Sequence, residues 1–184
     1  MHPFQIRHAS LLIHQGGIIA CPTEAVYGLS CDPLLPEAIE RLLELKQRSA
    51  EKGLILVASD LSQLSPYVAD PSMLTQKNVA DSWPGATSWL MPANPDTPGW
   101  LTGAHSTIAV RLTAHPVLAE LCRQCGTALV STSANMSCHE PARNALQTRL
   151  IFGDSLDWIL HGDTGKQSRV STIYDAVSGK LVRA

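Results

Sequence analysis

The sequence predicts a mixed α/β fold in which helices pack against an open twisted sheet. Short apolar runs rich in β-branched residues, such as 53–59 and 107–112, alternate with stretches whose apolar residues recur at helical spacing, such as 35–48. The chain has 184 residues, of which 45% are hydrophobic, and this is enough to bury one core of ordinary size. No repeat, low-complexity tract or linker divides it, so we expect a single domain over residues 1–184.

Five stretches are predicted to be helical. The clearest is 35–48, because its apolar residues keep helical spacing and Pro36 suits the first turn. The others, of which the middle two are weaker, are residues 4–15, 60–68, 71–81 and 115–125.

Strands are predicted where short apolar runs end in turn residues or polar residues. They cover residues 16–21, 53–59, the second half of 83–93, 107–112, 127–135, and a pair at 171–176 and 179–184 joined by a turn at 177–179. The first strand runs into PTEAVYGL at 22–29, where we expect Tyr27 and Gly28 to shape the turn. Several strands thus end in polar clusters, and α/β proteins tend to bind ligands at the carboxyl ends of their strands.

The charge balance argues against a protein that coats nucleic acid. The formal net charge is −2 and the pI about 6.4, so any contact with RNA would need a local basic patch. The N-terminal stretch resembles neither a signal peptide nor the run of about 20 apolar residues that spans a membrane. The five cysteines indicate reduced thiols, so we expect a cytoplasmic protein without membrane contact.

Cys122 and Cys125 form a lone C-x-x-C pair at the predicted end of a helix. A structural zinc site needs further ligands, and the sequence offers neither a second pair nor a clustered histidine pair nearby. We therefore interpret these cysteines as packing or incidental thiols, and we identify no metal ligands among the side chains.

Familiar nucleotide-binding signatures are missing from the sequence. There is no G-x-G-x-x-G, and the stretch GDTGKQS has Leu160 where a P-loop would begin with glycine. The G-x-S-x-G turn of a serine hydrolase is also absent. A phosphate site in this chain must therefore be built differently.

Three groups of polar side chains suggest such a site. Lys46 and Arg48 lie near a predicted helix end, where they suit either a phosphate or the helix dipole. The hydroxyls and amide of 131–135 suit either a polar turn or a ligand cradle. Thr107 and Arg111 are an even number of residues apart and so share one face of a strand, which favours an anionic ligand over solvent.

The motifs PTEAVYGL, LLELKQRSAEKGLILVA, WPGATSWLMPA, WLTG, TIAVRLTAHP and LVSTSANMS occur in the order typical of the YrdC-like family. From about residue 15 to residue 183 the chain resembles that family, and above all its short bacterial form. The resemblance implies a YrdC-like fold, an open twisted mixed sheet flanked by helices around a concave, electropositive groove. It also implies threonylcarbamoyl-AMP synthase activity, which makes threonylcarbamoyl-adenylate and pyrophosphate from L-threonine, bicarbonate or CO2, and ATP, with Mg²⁺ expected to accompany the ATP. Partner proteins would then transfer the threonylcarbamoyl group to an adenosine beside the anticodon of tRNA.

The resemblance further assigns residues to the two substrates. Those expected to contact ATP are Lys46, Arg48, Thr107, Ser133, Asn135 and Arg183. Those expected to contact threonine are Thr23, Arg111, Ser131 and Ser171. No side chain is assigned as a catalytic acid or base, and Glu24 suits either the amine of the substrate or the capping of a loop.

Several positions depart from the family pattern, Ser49 and Cys138 among them, and one other function stays open. Ser49 stands where many relatives have proline, and Cys138 replaces a glycine that would readily adopt a positive φ. The alternative function is an RNA-binding or ribosome-maturation factor that uses the same groove, with at most weak contact to tRNA or other RNA. Such a factor would bind with strong salt dependence and would not need threonine. The hydroxyl-rich motifs and the slightly acidic charge favour the enzyme.

Overall fold

The computed structural model describes residues 3–165, 167 and 171–183. Lys166 and Ser168 of the GDTGKQS stretch and Ala184 of the last predicted strand lie outside these residues. The helices are α1 (Pro3–His14), α2 (Pro36–Lys46), α3 (Leu61–Leu64), α4 (Lys77–Ala80), α5 (Gly99–Thr102), α6 (Pro116–Cys125) and α7 (Ala145–Phe152). The strands are β1 (Ile19–Pro22), β2 (Tyr27–Ser30), β3 (Ile55–Ala58), β4 (Ser88–Pro92), β5 (Thr107–Leu112), β6 (Leu129–Ser133), β7 (Trp158–Ile159), β8 (Ile173–Asp175) and β9 (Leu181–Arg183).

Over the described ranges the strands form one nine-stranded mixed sheet in the order β7-β1-β2-β6-β3-β5-β4-β8-β9. The pairs β1–β7, β3–β5 and β4–β8 are parallel, and the other neighbouring pairs are antiparallel. Strand β6 therefore lies near the middle of the sheet, although it comes late in the sequence. The predicted fold class is confirmed.

Helices cover both faces of the sheet because successive residues of each strand point to opposite sides. In β3, Leu56 packs into one core cluster and Val57 into the other, and both are fully buried. Helices α1 and α6 pack on the Val57 side, whereas α2 packs on the Leu56 side. Each fully buried aliphatic side chain stabilises the fold by roughly 1.5–3 kcal/mol.

The long helices begin and end where the sequence indicates. Both α2 and α6 begin with proline, whose missing N–H is harmless in the first turn. Helix α6 ends at Gly126, which adopts the left-handed conformation with φ 70°. Helix α2 ends at Gln47, a non-glycine residue with φ 50°.

Several expectations for the smaller elements were wrong. The helices predicted at 60–68 and 71–81 are broken into α3, α4 and short 3₁₀ turns. Pro66 is the second residue of one such turn, and Pro71 begins another. The sequence did not reveal α5, α7, β2 or β7. No helix in the described ranges has the length and hydropathy needed to cross a membrane.

The turn after β1 also differs from the expectation. Tyr27 and Gly28 do not shape it but begin β2, which pairs antiparallel to β1 with Pro22 opposite Tyr27. The turn itself comprises residues 23–26, and it is closed by hydrogen bonds from the Thr23 amide (3.0 Å) and hydroxyl (2.8 Å) to the Val26 carbonyl. The Tyr27 hydroxyl instead donates to the carbonyl of Gly162 at 2.7 Å.

Candidate ligand-binding site

A cavity of about 130 Å³ opens where the turn after β1 meets the end of β6. Its wall combines hydroxyl groups, three arginines, one carboxylate and a few apolar side chains. The described residues that line it are Thr23, Glu24, Ala25, Val26, Tyr27, Gly28, Arg48, Leu54, Ile55, Ala86, Arg111, Ser131, Thr132, Ser133, Ser171 and Arg183.

Close packing of β2 against β6 forms the hydroxyl-rich side of this cavity. Gly28 pairs with Ser133 in the register of the two strands. A Cβ at position 28 would lie 3.0 Å from the Thr23 methyl and 3.6 Å from the Ser131 hydroxyl oxygen. Glycine at this position therefore lets the threonine of the turn lie directly against the strand that carries the serines.

Positive charge reaches the cavity from Arg48, two residues beyond the end of α2, and from Arg183 on β9. Arg48 donates from Nη2 to the Gly53 carbonyl at 3.0 Å, and its buried Nε has no partner among the described residues. Arg183 donates to the Ser171 carbonyl at 3.1 Å and lies 3.4 Å from its hydroxyl. Loss of solvation beside the cavity lowers the pKa of both guanidinium groups, although Arg183 stays partly exposed, and the neighbouring charges of Arg48 and Arg111 lower that of Arg183 further. Such a cluster of cations favours an anionic ligand.

Arg111 and Glu24 form a buried pair of opposite charge. Arg111 Nη2 lies 3.7 Å from Glu24 Oε2 and 3.4 Å from the Ser131 hydroxyl. Glu24 Oε1 accepts hydrogen bonds from the Thr113 hydroxyl (2.5 Å) and the Ala114 amide (3.1 Å). Burial opposes ionisation of Glu24, but the Arg111 charge and these hydrogen bonds outweigh it and lower its pKa. The Glu24 carboxylate is therefore charged near neutral pH.

Lys46 lies behind the cavity wall rather than in it. Its ammonium donates to the carbonyls of Ser133 (2.5 Å) and Asn135 (2.8 Å) and to the Asn135 side-chain oxygen (3.3 Å). The side chain is buried, and burial together with the charge of Arg48 lowers its pKa to about 8. Lys46 thus holds the end of β6 in place from the side of the wall that faces away from the cavity.

The structure brings seven of the ten predicted ligand contacts into the cavity wall. They are Thr23, Arg48, Arg111, Ser131, Ser133, Ser171 and Arg183. Asn135 lies just beyond, with its Oδ1 accepting from the Ser133 hydroxyl at 2.6 Å. Thr107 is at the far end of β5, opposite Pro92 of β4, four residues or about 13 Å along the strand from Arg111.

The sequence did not predict the residues that hold Glu24. The Thr113 hydroxyl donates to the carboxylate and accepts from the His115 amide at 3.1 Å. Like Thr23, Thr113 follows directly on a strand end. That shared position was a signal, but only the folded sheet brings these two turns into contact.

The cysteines play no part in lining the cavity. Cys122 and Cys125 face the core between α6 and the sheet, and burial raises the pKa of both thiols. This placement supports packing thiols over a metal or redox site. Cys138 is exposed and adopts φ 66°, so it takes up the left-handed conformation for which the related motif uses glycine.

The fold and the cavity together define an α/β protein with an arginine-lined and hydroxyl-lined cavity beside a sheet end. A family model described as "Telomere recombination" (Sua5_yciO_yrdC) matches residues 11–184. The chain belongs to this Sua5/YciO/YrdC family, as its motifs predicted.

Relatives and solved structures agree with that membership. The chain is 49% identical over 180 residues to a threonylcarbamoyl-AMP synthase of Nitrosococcus oceani, covering 98% of this chain and 97% of the relative. It is 47% identical to the enzyme of the same name from Stenotrophomonas maltophilia, over the full length of both chains.

Among solved structures, P. abyssi Sua5 complexed with L-threonine matches with a TM-score of 0.89 and 28% identity. The match covers 95% of this chain but 52% of that one, so this chain spans about half the length of P. abyssi Sua5. E. coli YciO has the same fold, with a TM-score of 0.84, 24% identity and coverage of 97% and 87% of the two chains.

Proposed function

We propose that this protein is a threonylcarbamoyl-AMP synthase, which forms threonylcarbamoyl-adenylate and pyrophosphate from L-threonine, bicarbonate or CO2, and ATP. The observation that carries the proposal is the name shared by relatives that are 47–49% identical over essentially the whole chain. The arginine-rich, hydroxyl-rich cavity supports it, because both substrates bring negative charge and hydrogen-bonding groups.

The amino acid occupies the cavity itself. Arg111 binds its carboxylate, while Thr23, Ser131 and Ser171 line the space around it. The volume of about 130 Å³ is well below the roughly 300–1,000 Å³ of pockets that enclose drug-sized ligands. It therefore suits an amino acid but cannot enclose a whole nucleotide.

ATP extends out of the cavity across the sheet end. Arg48, Arg183 and Ser133 meet its phosphates at the cavity wall, and Lys46 and Asn135 support that wall from behind. Thr107 lies about 13 Å along β5 from Arg111 and faces the same side of the strand, so only an extended ligand reaches both.

The chemistry needs alignment and charge neutralisation more than acid–base groups. The threonine ammonium first loses a proton to water, and the neutral amine then attacks the carbon of CO2. Loss of a second proton from the nitrogen to water gives a carbamate. A carbamate oxygen then attacks the α-phosphorus of ATP, and the bond from that phosphorus to its bridging oxygen breaks to release pyrophosphate. Fixed guanidinium groups stabilise the charge that develops on the phosphates and the leaving pyrophosphate.

A magnesium ion would arrive with the triphosphate. In the described ranges no group of three or more His, Cys, Asp or Glu side chains is placed to hold a metal, and the carboxylate of the cavity already binds Thr113 and Ala114. Mg²⁺ commonly binds through substrate phosphates and water with few protein ligands, so the phosphates would carry it.

The product defines the further partners. A mixed anhydride of this kind must pass to proteins that transfer the threonylcarbamoyl group to tRNA, and we place the protein in the cytoplasm with them. The alternative RNA-binding or ribosome-maturation function has no comparable support, because the curated relatives described above carry a synthase name.

The decisive experiment measures pyrophosphate release by the purified protein. We expect release that requires ATP, L-threonine and bicarbonate together, and a product with the mass of threonylcarbamoyl-adenylate. Equal ATP turnover without threonine would contradict the synthase, and salt-sensitive RNA binding without turnover would favour the alternative.

A further inference from the structure

Glu24 is the sole carboxylate among the described residues that line the cavity, where three arginines are also present. It is as deeply buried as Arg111, each with 6% of its surface exposed. An ammonium group entering this cavity without Glu24 would meet only positive charge. A ligand that carries an ammonium as well as an anionic group therefore needs this carboxylate.

The Glu24–Arg111 pair is too loose to serve stability alone. Arginine and carboxylate that pair for their own sake form short hydrogen bonds of roughly 2.7–2.9 Å. Here the nearest atoms, Glu24 Oε2 and Arg111 Nη2, are 3.7 Å apart. Glu24 Oε2 and Arg111 Nε are both buried and have no hydrogen-bond partner among the described residues. An unused acceptor and an unused donor thus lie on neighbouring groups of one wall, and leaving them unpaired is costly.

The position of Glu24 is fixed before any ligand arrives. Oε1 is held by Thr113 and Ala114, and the Glu24 carbonyl accepts from the Gln167 amide at 3.2 Å. A Cβ at Gly165 would collide with that carbonyl oxygen, so the loop that contains Gly165 packs directly on the Glu24 backbone. A carboxylate fixed in this way can bind a ligand with little loss of conformational freedom.

We infer that Glu24 and Arg111 together form a subsite for the zwitterionic head of an α-amino acid, with Glu24 binding the ammonium and Arg111 the carboxylate. The inference rests on the proposed function for the identity of the amino acid. It adds a ligand contact for Glu24 and leaves Arg48 and Arg183 to the anionic nucleotide.

The test compares three ligands by calorimetric titration. L-threonine carries both charges, L-threoninamide lacks the carboxylate, and 2,3-dihydroxybutanoate carries a hydroxyl in place of the ammonium. The variant Glu24→Gln keeps an oxygen for Thr113 and Ala114 but removes the charge. The matched control is Glu37→Gln, the same change at an exposed residue outside the cavity lining.

We expect Glu24→Gln to weaken the binding of threonine and of threoninamide by at least about tenfold, because a hydrogen bond to a charged group is lost. Binding of 2,3-dihydroxybutanoate should stay equal or become tighter, and Glu37→Gln should match the wild type for all three ligands. Weaker binding of threonine and dihydroxybutanoate, with the binding of threoninamide unchanged, would overturn the inference, because Glu24 would then act only by positioning Arg111. An equal loss of affinity for all three ligands, or no loss of affinity for any of them, would overturn it as well.

The outcomes also separate this inference from the proposed function. Wild-type protein that neither binds threonine nor releases pyrophosphate would end the proposed function itself. Wild-type protein that makes the adenylate, with a Glu24→Gln variant that binds all three ligands normally, would end only the zwitterion subsite.

Discussion

Replacing Lys46 with methionine should destabilise the protein more than the same change at Arg48, although both residues carry positive charge near the cavity. The Lys46 ammonium makes three hydrogen bonds, one to Ser133 at the end of β6 and two to Asn135 just beyond it. Methionine would leave the two main-chain carbonyls without that partner. The change at Arg48, which is half-buried, removes one hydrogen bond, to the Gly53 carbonyl. The two variants therefore separate structural support from direct contact with ATP.

The expected size follows from the contacts. Hydrogen bonds to a charged group contribute roughly 1.5–3 kcal/mol, and the cost of burying the ammonium offsets part of their sum. We expect Lys46→Met to lower the free energy of unfolding by about 2 kcal/mol, which is about 4–8 °C in Tm for a chain of this size. Arg48→Met should lower it by less than about 1 kcal/mol.

Thermal unfolding by circular dichroism and pyrophosphate release over a range of ATP concentrations measure the two effects. Arg48→Met should reduce ATP use at least about tenfold with little loss of stability, whereas Lys46→Met should reduce both. A Lys46→Met protein with the wild-type Tm would refute the role given to the ammonium. A larger loss of stability in Arg48→Met than in Lys46→Met would refute the distinction between the two residues.

Two further predictions concern pH and backbone strain. The pKa of Lys46 is about 8 in the folded protein, below its ordinary value of 10.5, so the unfolded chain binds more protons between those values. The gap in unfolding free energy between wild type and Lys46→Met should widen by about 1–2 kcal/mol from pH 7.5 to 9.5 in urea titrations, and a constant gap would contradict the pKa. Cys138→Gly should raise Tm by about 2–4 °C relative to Cys138→Ala, because glycine relieves the positive φ of 66°. A Tm at or below that of the alanine variant would exclude strain at this position.

The main elements of the fold were predictable because their signals are local. Strand β5 is a short apolar run rich in β-branched residues, and helices α2 and α6 each begin with proline and keep apolar residues at helical spacing. Helix α7 escaped prediction because Leu146 and Leu150 are 67% and 77% exposed, so its apolar residues do not mark a buried face. Strand β2 escaped because Gly28 suggested a turn, whereas the glycine serves a close approach between strands.

The site was predictable in its residue types but not in its connections. Family motifs indicated Arg111, Ser131 and Ser133, which the sheet brings together. They could not indicate that Lys46 lies behind the wall or that Glu24 contacts Thr113, 89 residues away. Such contacts depend on the order of strands in the sheet, and in the sequence those strands are far apart.

Because Arg183 lies on β9, the part of the site that it forms has a different free-energy cost of local opening from the rest. This strand has three residues, all exposed, and its neighbour in the sheet is β8, so it forms an edge. An edge strand opens locally at a far smaller free-energy cost than the buried β6, and such opening would carry Arg183 away while the rest of the cavity stays intact. Amide hydrogens of β9 should therefore exchange with solvent much faster than those of β6 in the free protein. An anion bound to Arg183 would slow that exchange, because it would bind the form in which β9 is paired with β8 and so stabilise that form.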